Sequence, residues 1–440
     1  MSIASSLSPR LWTKFAGICA LSALTLAYTP IVRAQDAAPD DMGDVSPVDA
    51  DSLSAADTGF AAGEPGPRTQ PYQVLPETPP PPTPGDWYSQ WQNWKSDLQK
   101  KTGTSFELYL NPAEQIVASG PAQGVNRGVL WFNFHLEQTL WQGARLVTNT
   151  RGGKGDGLNR YVDSLFNFNQ HQGEHSRIYI SHLFLEQKLF NDQLTLQAGK
   201  MDLLDNFDAN EVGGWNFAPY GFARNPSIPA PYHAIGANVR WDPTKWLYMQ
   251  AGIADAAGDS AETGVNTTFR DEEPYFSIYE IGLQPKFMGR PGTYRFIFWN
   301  NSGDVARFDG HGVEDGDNGV DISFDQQVTD HLGLFARYGF SNPLVRKMHH
   351  FISVGGTYAG PIPGRKDDTL GFGVSHAILS HDYREANDLS ATETQFDVYY
   401  KIQVQPWITV APDVQVVLNP DQDTSKSSAV IAGVYVEMHF

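Results

Sequence analysis

Val430-Ile431-Ala432-Gly433-Val434-Tyr435-Val436-Glu437-Met438-His439-Phe440 closes the chain. Val430, Ala432, Val434, Val436, Met438 and Phe440 fall on one face of an extended segment; Tyr435, Glu437 and His439 fall on the other, because successive strand side chains point to opposite sides. The same alternation runs upstream. Thr394, Phe396, Val398, Tyr400, Ile402 and Val404 alternate with Gln395, Asp397, Tyr399, Lys401 and Gln403, and Leu130, Phe132, Phe134 and Leu136 with Trp131, Asn133, His135 and Glu137. Ile235 to Trp241, Leu247 to Ile253, Tyr294 to Phe298 and Val320 to Phe324 repeat it. Period two therefore governs the chain from 104 to 440.

A soluble sandwich alternates as well, so the connections decide the matter. About sixteen strands are expected, an even number of the kind bacterial outer-membrane barrels have. Short turns at Thr139 to Gly143, Asn191 to Gln193, Asp242 to Lys245, Lys286 to Pro291, Val328 to His331 and Gln405 to Trp407 alternate with long polar loops. Those loops are Asn111 to Asn126, Arg151 to Ser176, Met201 to Tyr232, Asp255 to Pro274, Asn300 to Asn318 and Asn419 to Ser428. One rim of turns and one of loops is the asymmetry of an outer-membrane barrel with its turns in the periplasm. Trp141, Trp241, Trp246 and Trp407 lie beside short turns, where an aromatic girdle meets the headgroups. A final strand ending in Phe440 is the pattern read by the outer-membrane insertion machinery. The predicted fold is all-β: a transmembrane antiparallel barrel of about 16 strands over 104–440.

Composition agrees. A chain of 440 residues with 41% hydrophobic and 12% aromatic residues and a mean hydropathy of -0.36 is too polar for a bundle of membrane helices. Lys+Arg of 31 against Asp+Glu of 50 gives a net charge of -19, which excludes a phosphate-tracking surface and nucleic acid as a partner. The single cysteine, Cys19, leaves no disulfide framework and no cysteine-based metal site in the body.

Before the barrel the chain changes character. Arg10 and Lys14 precede an apolar run from Phe15 to Tyr28, and Val32-Arg33-Ala34 stands before Gln35, so 1–34 reads as a Sec signal peptide. Residues 35–84 are acidic and Pro-rich, ending in Pro79-Pro80-Pro81-Pro82, and read as a disordered linker. Trp87, Trp91, Trp94 and Leu98 then recur at helical spacing, with Lys95, Asp97, Lys100 and Lys101 on other faces, which predicts a short amphipathic helix over 85–103. Packing of that helix on the protein's own body is favoured over an interfacial or pore-closing position.

Gly85-Asp86-Trp87 leading into the first strand, Gln197-Ala198-Gly199-Lys200-Met201-Asp202, Asn216-Phe217-Ala218 through Arg224-Asn225-Pro226 to Tyr232, and the ending Trp407, Pro412-Asp413-Val414-Gln415, Asn419-Pro420, Gly433, Phe440 resemble the carbohydrate-selective porins of the OprB family. The resemblance covers Gly85 to Phe440. It implies a sixteen-stranded outer-membrane channel that passes glucose and similar sugars by diffusion; the long acidic Pro-rich extension departs from it.

If the oily faces meet lipid, the lumen receives Glu107, Tyr109, Trp131, His135, Glu137, Arg240, Tyr248, Gln250, Arg295, Trp299, Asp321, Asp325, Arg337, Asp397, Lys401, Asp413 and Gln415. Carboxylates, guanidinium groups and aromatic faces together match the hydroxyls and the apolar ring face of a sugar. Such groups also simply solvate a wet lumen and pair with one another. The candidate solute-contacting residues are Arg240, Arg295, Arg337, Trp131, Glu137, Trp299, Asp397 and Lys401, with the three arginines foremost as inward cations in an acidic chain. The loop from Met201 to Tyr232, rich in Phe207, Trp215, Phe217, Tyr220 and Phe222, either folds into the lumen or packs on the outer rim. The acidic segment Asp309 to Asp321, with Asp315, Asp317 and Asp321 among glycines, lacks the spacing of a calcium loop. Gly152-Gly153-Lys154-Gly155 lacks the form of a phosphate loop, and neither His-Glu-x-x-His nor Gly-x-Ser-x-Gly occurs. No catalysis, cofactor or metal is expected. The function classes in competition are a sugar channel, a general or ion-selective porin, a barrel enzyme such as a lipase, and a soluble lectin. The expected partners are sugars, outer-membrane lipid and lipopolysaccharide, and the insertion machinery.

Overall fold

The computed structural model describes residues 86–155, 157–170, 178–260, 262–268 and 274–440. The expected signal peptide and Pro-rich linker lie outside the described residues. Helix α1, Trp87–Thr102, comes first. The Asp86 side chain accepts a hydrogen bond from the Ser89 N–H at 2.6 Å, satisfying one open donor of the first turn. Gly103, at φ 72°, ends the helix in the left-handed region and returns its N–H to the Gln99 carbonyl.

Among the described residues, sixteen long strands follow. They are β1 Thr104–Ser119, β2 Asn126–Trp141, β3 Ala144–Lys154, β4 Ile178–Leu189, β5 Leu194–Met201, β6 Ala234–Thr244, β7 Leu247–Asp255 and β8 Tyr275–Leu283. The second half comprises β9 Arg290–Asn301, β10 Asp317–Gln327, β11 Leu332–Ser341, β12 Met348–Ala359, β13 Thr369–Leu379, β14 Thr392–Gln405, β15 Ile408–Leu418 and β16 Ala429–His439. Each pairs antiparallel with its sequence neighbours, and β1 also pairs with β16, Tyr109 opposite His439 and Ile116 opposite Ala432. The sheet closes on itself and keeps no open edge.

Burial runs opposite to that of a soluble protein. Leu130, Phe296, Val398 and Val414 are about half exposed, at 52%, 54%, 51% and 49%, while Asp325, Gln395, Asp397 and Gln415 are at most 1% exposed. Apolar outside and polar inside is the pattern of a barrel whose outer solvent is hydrocarbon. Exposed Trp141, Trp241 and Trp246 stand at the short-turn end, where a periplasmic girdle belongs.

One connection differs from the sequence reading. The long loop expected over 111–126 shrinks to 120–125, because β1 continues through Pro112, which sits opposite Leu130 of β2. Proline normally stops a ladder because it has no N–H to donate, yet here the residues on both sides of it stay paired with β2.

Candidate functional site

Two of the long loops turn inward. After β5, Asp202 caps a short 3₁₀ turn, Leu203–Asp205, by accepting from the Leu204 N–H at 2.9 Å. The chain then crosses the lumen to His233. Leu203, Phe207 and Ile228 pack with Phe276, Ile278, Ile297 and Trp299 of the wall. Val212, Phe217 and Phe222 pack with Phe335 and Tyr399. Polar anchors fix the crossing: the Asp208 N–H donates to Glu280 at 2.8 Å, and the Ser227 hydroxyl to Asp321 at 2.6 Å. The Arg337 guanidinium pairs with Asp208 at 2.9 Å and donates to the Phe222 carbonyl at 2.6 Å.

The loop after β3 does the same from the other side. Leu158, Val162 and Phe168 pack with Val117, Val417 and Ile431, and Phe166 packs with Phe351 and Ala377. Glu393 accepts from the Ser164 hydroxyl at 2.7 Å and the Leu165 N–H at 2.9 Å. The loops then join: Gln170 N–H donates to the Ala218 carbonyl and Tyr220 N–H to the Phe166 carbonyl, both at 2.9 Å. A Cβ on Gly221 would stand 2.9 Å from the Phe166 ring, so only glycine allows this approach. The joined loops pack against β8 to β16 and leave the wall of β2 to β7 and the start of β9 open.

Along that wall lies a cavity of about 470 Å³. Its surface carries a hydrogen-bonded belt that crosses five strands. Arg145 on β3 donates to Glu137 on β2 at 2.7 Å and to Glu186 on β4 at 2.8 Å. Gln197 on β5 donates to Glu186 at 2.9 Å, and Asn238 on β6 donates to Gln197 at 3.1 Å. Toward the short turns, Arg240 pairs with Asp242 at 2.8 Å and lies 3.8 Å from the Tyr248 ring centroid. Seven carboxylates and four lysine or arginine side chains line the cavity.

The inward loop supplies the opposite rim of the cavity. Arg224 pairs with Asp205 at 2.8 Å and Asp202 at 3.1 Å, and the His182 Nε2 meets Asp205 at 2.9 Å. Burial would raise the Asp205 carboxyl, but the His182 hydrogen bond and the Arg224 cation outweigh it and hold it low. At Asp202 burial wins and the carboxyl is pushed up. Burial, with the Arg151 cation beside it, drives the His233 imidazole well below its ordinary range. It stays neutral, and its Nε2 accepts from Arg151 at 3.0 Å.

The sequence-derived residues divide accordingly. Glu137, Arg240 and Arg295 line the cavity, Arg295 being tied to Asp325 at 2.6 Å. Lys401 lines a separate cavity of about 60 Å³ with Asp413 and Tyr435. Arg337, Trp299, Trp131 and Asp397 are buried. Arg337 holds the inward loop, Trp299 donates to Asp321 at 3.0 Å within the apolar cluster, and Trp131 has the Arg151 guanidinium 5.5 Å from its ring centroid. Asp397 sits on the β14–β15 ladder, whose next inward pair is Tyr399 and Asp413. Arg145, Glu186, His182 and Asp205 were not among the sequence candidates. Parity could have found the first: Arg145, Val147 and Asn149 share an inward face just after a short turn. Asp309, in the acidic segment considered for calcium, pairs with Arg307 at 2.6 Å, which holds its carboxyl down at about 2.

Comparison with known proteins agrees with this architecture. The model of the carbohydrate-selective porin, OprB family matches residues 123–440. Porin B of Pseudomonas aeruginosa is 22% identical over 308 residues, which cover 59% of this chain and 68% of that protein. Porin AaxA of Chlamydia felis is 22% identical over 338 residues, covering 75% and 70%. The high-pH structure of Pseudomonas putida OprB superposes with a TM-score of 0.74 over 80% of this chain and 97% of that one, at 18% identity, so the fold is shared. With a closed sixteen-stranded barrel, a lumen narrowed by inward loops and a family match over most of its length, the chain belongs to the carbohydrate-selective porin, OprB family, of the bacterial outer membrane.

Proposed function

We propose that this porin passes mono- and small oligosaccharides such as glucose by passive diffusion along the belt from Glu137 to Asn238, and that it catalyses no reaction. The observation that carries the reading is the belt itself. Its amides, carboxylates and guanidinium offer donors and acceptors in a row, so a sugar exchanges one hydroxyl partner for the next without a deep energy well. Glu137, Arg240 and Arg295 are the solute contacts at the cavity, and Lys401 contributes from the second one. Arg337, Trp131, Trp299 and Asp397 act on the path through the loops and wall that they support. A channel must release its solute, so affinity in the millimolar range, about -4 kcal/mol, is the appropriate scale.

The excess of carboxylates over cations around the cavity favours one second reading, a general porin that prefers cations and ignores sugars. Planar-bilayer conductance separates the two. A sugar channel loses ion current in a saturable way as glucose rises through the millimolar range, and Arg240→Ala or Arg295→Ala weakens that block. A general porin shows only the small, linear fall that viscosity causes. On the membrane side, the outer band of the barrel takes lipid and lipopolysaccharide, and the terminal strand takes the insertion machinery.

A further inference from the structure

Helix α1 is mounted the wrong way round for a helix packed on its own protein. In such a helix the apolar stripe is buried and the polar face is wet. Here the buried positions are Tyr88 and Lys95, while Trp87 and Trp94 of the apolar stripe are 53% and 51% exposed. The polar side docks on the barrel: Lys95 donates to Glu107 of β1 at 2.5 Å, and His439 of β16 meets the same carboxylate at 2.6 Å. One inward carboxylate thus ties the helix to both strands of the closing seam.

The tryptophan stripe points to the other side of the wall. Trp91 and Trp94 stack on one another, with centroids 5.1 Å apart, and both meet the edge of Phe106 at 5.8 and 5.9 Å. Phe106 lies opposite Leu136 on the outward, lipid-facing side of β1 and β2, and its ring is 5.9 Å from that of Phe134. At the other end, Trp87 packs on Trp407 at 5.4 Å and on Phe440 at 6.4 Å. The exposed tryptophans therefore continue the lipid-contacting surface of the barrel at its short-turn rim. Lys100 and Lys101, both exposed, end the helix in a chain that is otherwise strongly acidic.

We propose that α1 is an in-plane anchor in the periplasmic leaflet, its Trp87, Trp91 and Trp94 edge set among phospholipid acyl chains and its terminal lysines facing anionic headgroups, clipped to the barrel seam through Glu107. Each part matches interfacial helices: aromatic rings at the headgroup boundary, lysines on the flank, and an apolar side whose Trp87 and Trp94 stay half exposed beside the lipid-facing wall. The barrel's short-turn rim carries the same tryptophan chemistry, so the helix widens a girdle already present.

Site-directed spin labelling of the inserted, heat-modifiable full chain tests this. Labels are placed by Trp94→Cys and, 100° around the helix, by Asn93→Cys, in a Cys19→Ser background, in phosphatidylethanolamine/phosphatidylglycerol vesicles. The label at 94 should collide more with oxygen, which concentrates in lipid, than with a water-soluble nickel chelate, and the label at 93 the reverse. Equal nickel access at both positions would overturn the anchor. So would dipolar broadening at 94, since a second copy would then cover the stripe. Removing phosphatidylglycerol should leave the oxygen preference at 94 in place but cut the immobilisation of a label at Lys101→Cys; no change there would remove the headgroup contact from the proposal. None of these outcomes depends on sugar block, so the anchor and the transport reading fail separately.

Discussion

Arg337 offers the sharpest test of how the lumen is narrowed. Its guanidinium is fully buried, paired with Asp208 at 2.9 Å and donating to the Phe222 carbonyl at 2.6 Å. Arg337→Ala leaves the Asp208 carboxylate, itself 3% exposed, without its cation. Breaking a buried pair from one side costs roughly 3–5 kcal/mol. Against this stand the apolar anchors of the same loop: Phe207, Phe217, Phe222 and Ile228 are each at most 3% exposed. At about 1.5–3 kcal/mol each, they contribute roughly 6–12 kcal/mol before the cost of ordering the loop. The loop should therefore stay in the lumen most of the time. Its released fraction, however, rises by roughly 10² to 10⁴.

In single-channel records Arg337→Ala should show brief high-conductance excursions over the normal level. Adding Ile228→Ala, in the other apolar cluster and sharing no partner with Arg337, costs a further 2–5 kcal/mol or so and nearly adds. The double variant should dwell in the wide state and lose glucose block, while its unheated gel mobility stays compact because the sixteen strands are untouched. Arg337→Lys should fall between, since an ammonium keeps the charge but not the fork that reaches Asp208 and Phe222 together. If the double variant has the wild-type conductance, noise and glucose block, the loop does not narrow the path.

Three further outcomes follow from the same contacts. Arg145→Ala leaves Glu137 and Glu186 without their shared cation, so the reversal potential in a salt gradient should move toward cations, and an unmoved potential would remove the belt from the solute path. Deleting Phe440 should lower membrane levels of the protein without altering export across the inner membrane; normal insertion would show that the terminal residue carries no such signal. With Asp202→Asn in place, which removes a raised carboxyl whose titration works the other way, docking of the inward loop should weaken in acid: His233 is held below 6.5, so docking is at full strength above that pH and loses up to about 1.36 kcal/mol per unit below it. Asp205, whose carboxyl is held low, adds its own loss only below about 3.9, so high-conductance noise that is flat from pH 9 to 7 and grows by pH 5 is expected, and noise independent of pH would refute the coupling.

The barrel was legible because parity is local. Whether Asp397 faces in and Val398 faces out follows from the two-residue repeat alone, and strand after strand obeys it. Parity also located the inward cations, but it could not tell a cation that meets the solute from one that meets the chain. Arg240 and Arg337 share the same inward sense, yet one faces the cavity beside its neighbour Asp242 and the other is consumed by Asp208, 129 residues away. Nothing near Arg337 in sequence announces that partner. The segment around Phe166 is harder still: Asn159, Asn167, Asn169 and Gln170 make it read as a polar outer loop, yet the lumen buries Asn167, Asn169 and Gln170 together with Leu158, Val162, Phe166 and Phe168. Helix α1 shows the same limit from the opposite side. Its tryptophan stripe defines a face but not what the face meets, and the pairing of Lys95 with Glu107 across the rim sets that stripe against Phe106 and Trp407 at the barrel's outer edge. Long-range pairs of this kind decide which polar wall remains open, and the course of the solute path is therefore a property of the assembled loops rather than of any single strand.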